Sequence, residues 1–188
     1  MNTEVEKLAG SPSKSLADEP VQLTLMSEEE PDLFAFDSGF RAECGAVCGI
    51  DEAGRGPLAG DVFAAAVIFD EGTVIEGIND SKKLTEKKRE ALFDEICAKA
   101  KAYCIASASV DEIEQLNILQ ADFLAMQRAY NGLGIQAGIV LVDGNQLPQL
   151  DAEMKYVIKG DAKSASIAAA SILAKVSRDR YMKQMAEE

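Results

Sequence analysis

Four carboxylates stand where apolar runs stop. Asp51 and Glu52 follow Val47-Cys48-Gly49-Ile50, Asp143 closes Gly138-Ile139-Val140-Leu141-Val142, and Asp161 follows Tyr156-Val157-Ile158-Lys159-Gly160. The runs read as strands, and in open α/β sheets ligands collect in the crevice beyond strand ends. Carboxylates converging there repel one another unless something cationic neutralises them. The chain has no histidine, which excludes a Ser-His-Asp triad, a Cys-His dyad, a histidine zinc site and an HExxH metalloprotease. A hard divalent cation held by oxygen ligands is therefore the natural partner. Acid–base chemistry falls to carboxylates, lysines, tyrosines or a metal-bound water. Each acid also has a plainer use: Asp51-Glu52 as a polar strand end, Asp143-Gly144 as a turn, Asp161 as the N-cap of a following helix.

Neighbours on a straight strand face opposite sides. Asp51 and Glu52 reach one metal cluster only where the strand breaks, or if Glu52 contributes through its backbone. Ala53-Gly54-Arg55-Gly56 supplies such a break, and its glycines let backbone N–H groups approach a ligand closely, with Arg55 near a phosphate. Basic residues gather near the same acids. Lys82-Lys83 follows Asn79-Asp80-Ser81, Lys159 and Lys163 bracket Asp161, and Lys175, Arg178 and Arg180 come later. Lys82, Lys159 and Lys163 are expected to meet phosphate, whereas Lys87, Lys88 and Arg89 read as a solvated helix face.

The positioning elements follow from hydrophobic pattern. With 188 residues, 47% of them hydrophobic and 27% charged, the chain can bury the core of one full-sized domain. A net charge of −13 argues against a non-specific nucleic-acid coat or an anionic-membrane binder, but leaves room for a local basic groove. No apolar run reaches the ~18 residues of a membrane span. No basic region followed by an apolar stretch opens the chain, so a cytoplasmic protein without membrane attachment is expected. The four cysteines fit that compartment. Cys44 and Cys48 flank a strand start, roughly 13 Å apart if extended, too far for a disulfide. All four read as buried small hydrophobes.

Residues 1–43 hold ten acids against Lys7, Lys14 and Arg41, in segments rich in Pro and Ser without an apolar period. They are expected to form a disordered acidic extension, with a short element near Leu33-Phe34-Ala35-Phe36 able to dock. The domain is expected over 44–188. Strands are predicted at Val47–Glu52, Val62–Phe69, Ala102–Ala108, Gly138–Asp143 and Met154–Ile158. Helices are predicted from Thr85 as N-cap to about Lys101, from Asp111 to about Leu133 with a break near Asn117, and from Lys163 to Met185. Two early strands followed by alternating helices and strands imply an α/β domain with a mixed five-stranded sheet flanked by helices.

Taken together, DEAGRGPLAG (51–60), NDSKKL (79–84), LNIL (116–119), LVDGN (141–145) and KGDAKSASIAAASILAKVSRDR (159–180) resemble bacterial ribonuclease HII, the type 2 ribonuclease H, from about Val47 to Arg180. The resemblance implies a ribonuclease H-like fold. It also implies endonucleolytic cleavage of the RNA strand of RNA–DNA hybrids, and cleavage 5′ to single ribonucleotides embedded in duplex DNA. Family catalytic and metal positions carry over as Asp51, Glu52, Asp143 and Asp161. Gly54, Arg55 and Gly56 resemble the family's sensor of the junction 2′-hydroxyl, and Lys82, Asn117 and Lys163 fall where members contact phosphates or the junction. Members usually continue past the long helix into a KGYxT-like motif whose tyrosine packs on the junction sugar. No such motif occurs up to Glu188, so a reduced grip on substrate is expected.

The expected mechanism is hydrolysis with two Mn²⁺ or Mg²⁺ ions, roughly 3.5–4 Å apart. Asp51 would bridge them, and 3′-hydroxyl and 5′-phosphate ends would result. The expected partners are RNA–DNA hybrid and ribonucleotide-containing DNA duplex, bound by a monomer. Two alternatives remain at this point: another metal-dependent nuclease on the same fold, or a catalytically weak hybrid-binding protein.

Overall fold

The computed structural model describes residues 32–56 and 60–187. The greater part of the expected disordered extension, residues 1–31, lies outside the described residues. The elements are α1 (Leu33–Cys44), β1 (Val47–Ala53), β2 (Val62–Ile68), a 3₁₀ turn at Ser81–Lys83, α2 (Glu86–Lys99), β3 (Ala102–Ala108), α3 (Val110–Leu116), α4 (Ile118–Asn131), β4 (Ile139–Asp143), β5 (Met154–Val157), a second 3₁₀ turn at Gly160–Ala162, and α5 (Ala165–Glu187). The folded unit begins ahead of residue 44. Helix α1, capped by Asp32 and carrying Phe36 and Phe40 against β1 and β4, belongs to it.

The five strands form one sheet in the order β3-β2-β1-β4-β5. Antiparallel pairing joins β1 to β2 and β2 to β3, while β1–β4 and β4–β5 are parallel. Both faces of β2 are buried, and its alternation sorts the core into two layers. Val62, Ala64, Ala66 and Ile68 meet Ala121, Ala125, Met126 and Ala129 of α4. Ala65 and Val67 meet α2 and the alanine-rich side of α5. Helices therefore cover both faces, and β1 sits in the middle.

Thr85 caps α2 by accepting from the Lys88 amide at 3.3 Å. The break in the middle helical region is sharp: Asn117 takes φ 72°, ends α3 and caps α4 through bonds from Leu119 N (3.0 Å) and Gln120 N (3.1 Å). Asp161 is not the cap of α5. It lies in the preceding 3₁₀ turn, and Ser164 takes the cap role, its Oγ accepting from Ile167 N at 3.2 Å. Nor is Arg89 solvated, since it donates to Ser81 O (3.0 Å) and Leu84 O (2.6 Å), tying α2 to the turn that carries Lys82. Of the cysteines, all free, only Cys48 is fully buried; the other three are half-buried. Among the described residues no helix is long and apolar enough to cross a membrane.

The start of α5 lies directly on β1. A Cβ built on Gly49 would stand 2.1 Å from the Ser166 carbonyl carbon and 2.3 Å from Ile167 N. Both obstacles are backbone, so no rotamer change relieves the clash. From the α1 side, buried Asp37 accepts from Ser166 N (2.8 Å) and Ser166 Oγ (2.7 Å). The helix start is thus held from two directions. Gly49→Ala should cost at least the ~1–3 kcal/mol typical of core overpacking, because the helix itself must move. Urea unfolding of Gly49→Ala beside wild type measures this, and equal midpoints would show that α5 does not bear on β1 as described.

Candidate metal centre

Strand alternation decides which acids meet. On β1, Val47, Gly49 and Asp51 point to the α5 side, and on β4 so do Ile139, Leu141 and Asp143. The 3₁₀ turn ahead of α5 brings Asp161 to the same place. One carboxylate oxygen from each of Asp51, Asp143 and Asp161 lies within 4.8 Å of the others. Asp51 and Asp161 are buried. Gly160 N donates to Asp143 Oδ1 at 2.6 Å, which fixes that carboxylate and joins the β4 end to the turn bearing Asp161. Just before it, Lys159 holds φ 55°, an uncommon left-handed value for a residue with a side chain.

The electrostatics are those of a site built for cations. Burial, then Glu52 and then Asp143 push the Asp51 carboxyl well above the usual carboxylate range. Burial, then Asp143 and Asp80, raise Asp161 to about 6, against the pull of Lys82. Burial pulls Lys82 down, but Asp161, Asp51, Asp80 and Asp143 override it and raise the amine. Lys82 therefore faces the cluster. Three converging carboxylates, without nitrogen or sulfur donors among them, suit an oxygen-seeking divalent ion.

Glu52 stands apart from this trio. Its place on β1 turns it towards α4, where Arg55 lies 3.9 Å from its Oε1. Burial raises Glu52, with Arg55 pulling down and Asp143 pushing up, so it still feels the cluster. On the same side lies Asp122 of α4, a residue that the sequence reading did not single out. It is fully buried, 3.7 Å from Arg55, and raised to about 8 by burial and then by Glu52. An acid on the apolar stripe Ala121, Ala125, Met126, Ala129 was the signal available for it.

The glycine-rich turn divides. Gly54 takes φ 109°, and a Cβ there would meet Arg178 Nε at 2.5 Å and Asp61 O at 2.9 Å, so only glycine fits. A Cβ on Gly56 would have nothing within 4 Å among the described residues. A pocket of about 320 Å³ opens beside the turn, lined by Glu52, Arg55, Lys82, Lys175 and Arg178 among others. Ser81 and Ser171, hydrogen-bonded at 2.9 Å, form part of its wall. Asn117 spends its side-chain oxygen on the α4 cap, and Lys163 is exposed beyond the second 3₁₀ turn.

The raised acids give the metal-free protein a definite pH response. Asp161 binds its proton up to about 6 when folded, against 3.8 unfolded. Between those values the folded state holds more protons, so this group lowers stability as pH rises from about 4 to above 6. Asp161→Asn should therefore melt above wild type at pH 7 in a chelator, with the gap closing towards pH 4. Adding Mn²⁺ should raise the melting temperature of wild type more than that of the variant. Thermal scans at the two pH values read both effects; a gap that widened at pH 4 would contradict the assignment.

The model of the family described as ribonuclease HII matches residues 48–188. A ribonuclease HII of Delftia acidovorans is 60% identical over 144 residues, covering 77% of this chain and 61% of the relative. One of Burkholderia vietnamiensis is 57% identical over 139 residues, covering 74% of this chain and 64% of the relative. The chain thus spans somewhat under two thirds of the length of these relatives. The crystal structure of ribonuclease H2 from Pyrococcus horikoshii OT3 superposes with a TM-score of 0.67 at 29% identity, over 76% of each chain. The mixed five-stranded sheet flanked by helices is accordingly a ribonuclease H-like fold. With its acids at the strand ends that the fold brings together, this chain belongs to the ribonuclease HII family.

Proposed function

We propose that the chain is a metal-dependent endoribonuclease that hydrolyses the RNA strand of RNA–DNA hybrids and cuts 5′ to single ribonucleotides in duplex DNA. The observation that carries this reading is the convergence of Asp51, Asp143 and Asp161 within 4.8 Å, in a chain whose family is ribonuclease HII. Asp51 stands beside Glu52 on β1 and next to Asp143 on the neighbouring strand β4, and both raise its carboxyl, which makes it the acid this reading would share between two ions. Asp143 and Asp161 follow along the sheet on the same side and, with Glu52 from the opposite side of β1, would complete the shells. Mn²⁺ or Mg²⁺ bound there would supply an activated water and stabilisation of the leaving 3′-oxygen. Lys82, facing the acids, offsets their charge and lies where a substrate phosphate would arrive.

Substrate choice falls to the turn Gly54-Arg55-Gly56. A protein tells RNA from DNA at one nucleotide by touching the 2′-hydroxyl, and the glycines on either side of Arg55 let backbone groups come that close. The rest of the pocket is basic, with Lys175 and Arg178 beside the turn, although the chain as a whole carries −13. A local basic rim allows a nucleic-acid backbone to dock on an acidic protein. Lys163 and Asn117, both exposed, extend that rim and the junction contact in this reading. The partners are hybrid and ribonucleotide-containing duplex, met in the cytoplasm.

A duplex bearing one ribonucleotide, incubated with the protein in Mn²⁺, should be cut on the 5′ side of that ribonucleotide, leaving a 3′-hydroxyl and a 5′-phosphate. Asp51→Asn and Asp143→Asn should each lower the rate by more than the ~100-fold upper range for losing a residue that merely supports a ligand. Gel analysis of labelled duplex gives rates and end chemistry together. Cleavage of an all-DNA control at the same rate, or near-wild-type turnover by either variant, would overturn the proposal.

A further inference from the structure

Asp122 occupies a position on α4 where its neighbours on the same face are core residues, and its side chain is fully buried. Neither of its oxygens has a hydrogen-bond partner. A buried carboxyl in that condition is destabilising, and an apolar side chain of similar size would hold the helix better. Packing therefore does not explain the residue. What faces it does. One guanidinium nitrogen of Arg55 lies 3.7 Å from Asp122 Oδ2 and 3.9 Å from Glu52 Oε1, while another donates to Gln146 Oε1 at 3.3 Å. The Arg55 side chain is 42% exposed and that of Asp122 is 0% exposed. The guanidinium is thus held from behind and open in front.

The turn that carries Arg55 has two constraints. Gly54 is wedged at φ 109° against Arg178 and Asp61 O. Past it, a Cβ on Gly56 would have nothing within 4 Å among the described residues, so no close approach of the kind that fixes Gly54 locates the second half of the turn. The Arg55 side chain does so, through Asp122 below, Glu52 on the strand and Gln146 on the loop after β4. Of these three, Asp122 is the rigid one, set in a packed helix face.

We propose that Asp122 is a positioning residue that sets substrate selectivity: by holding Arg55 it fixes the Gly54–Gly56 turn at the distance from which the turn reads a 2′-hydroxyl, and it leaves the outer edge of Arg55 for the adjoining phosphate. The inference rests on the proposed junction cleavage. Asp122 does not touch substrate; it acts through Arg55. Its loss changes which duplex is preferred and leaves the trio Asp51, Asp143 and Asp161 in place, because these lie on the other face of β1; of the proposed ligands only Glu52 meets Arg55.

The experiment measures affinity by fluorescence anisotropy in Ca²⁺ for two duplexes, one with a single ribonucleotide and one of DNA alone. Wild type is compared with Asp122→Leu, Asp122→Ala, Asp122→Asn, Arg55→Ala and the Arg55→Ala/Asp122→Ala double variant. Loss of a partner to a charged group corresponds to roughly a tenfold effect or more. Asp122→Leu and Asp122→Ala should therefore reduce the ribonucleotide preference about tenfold, with calorimetric Mn²⁺ affinity changed less than that. Asp122→Asn, which keeps an oxygen towards Arg55, should retain most of the preference, and Asp122→Leu should melt no lower than wild type. In the Arg55→Ala background Asp122→Ala should add nothing. Should the leucine overpack the site, the alanine variant carries the same comparison. Full preference in Asp122→Ala, or an equal further loss on top of Arg55→Ala, would overturn the inference while leaving the proposed cleavage intact. Equal affinity of wild type for both duplexes would remove the junction reading itself, and the inference with it.

Discussion

The backbone crossing of α5 over β1 at Gly49 is the constraint on which the rest of the structure depends. With no Cβ at that point, the first turn of α5 rests on the central strand at a distance that no side chain could share. The alanines at 165, 168, 169, 170 and 174 continue the same close approach along the helix. Because the helix start is held there, the 3₁₀ turn just ahead of it lands at the ends of β1 and β4. Asp161 thereby meets Asp51 and Asp143. Asp37 reinforces the arrangement from α1 by accepting from Ser166. A segment ahead of the sheet thus helps to place Asp161, more than a hundred residues later.

The cluster is built against its own electrostatics. Burial and mutual repulsion raise Asp51 and Asp161, so the folded chain holds carboxyl groups that would be stabler apart. Such a site gains most from a divalent cation, since the ion removes the repulsion and takes up the oxygen lone pairs. Lys82 provides part of that charge from the side, and Arg89 steadies the turn that carries it. The strand itself separates duties. Asp51 faces α5 and the other strand-end acids, whereas Glu52 faces α4, Arg55 and Asp122.

In the proposed reading this separation sets the metal chemistry and the substrate reading on the two faces of one strand, with Glu52 next to both. The trio lies on one face of β1, and the turn that continues the strand is anchored on the other. Arg55 joins strand, helix α4 and the loop after β4 through Glu52, Asp122 and Gln146. Gly54 presses against Arg178 of α5, so the same long helix borders the metal cluster and the turn. Both faces of the central strand thus carry charged groups on one scaffold: the acid trio towards α5, and Glu52 with Arg55 and Asp122 towards α4.

The strands, the capped start of α2 and the break at Asn117 were legible in the chain because local terms decide them: apolar runs, a threonine cap and an asparagine that tolerates positive φ. Asp51 and Asp143 were legible as acids that close the buried runs 47–50 and 139–142, whereas Asp161 follows a strand that is exposed or half-buried and stands in a 3₁₀ turn. Distances through space decided the remainder. Asp161 looked equally suited to capping α5, and the cap fell to Ser164 because the helix starts three residues later. The domain edge moved ahead of residue 44 because Phe36, Phe40 and Asp37 find partners on β1, β4 and α5. Gly54 and Gly56 looked alike, yet only Gly54 has Arg178 and Asp61 against it. Asp122 was not singled out in the chain, and its weight comes from meeting Glu52 and Arg55 on the α4 side of the sheet. The order of residue types along the chain determined the strands, the caps and the acids at the strand ends; tertiary structure alone decided which of those acids meet, because that depends on which backbone segments can approach without a side chain between them.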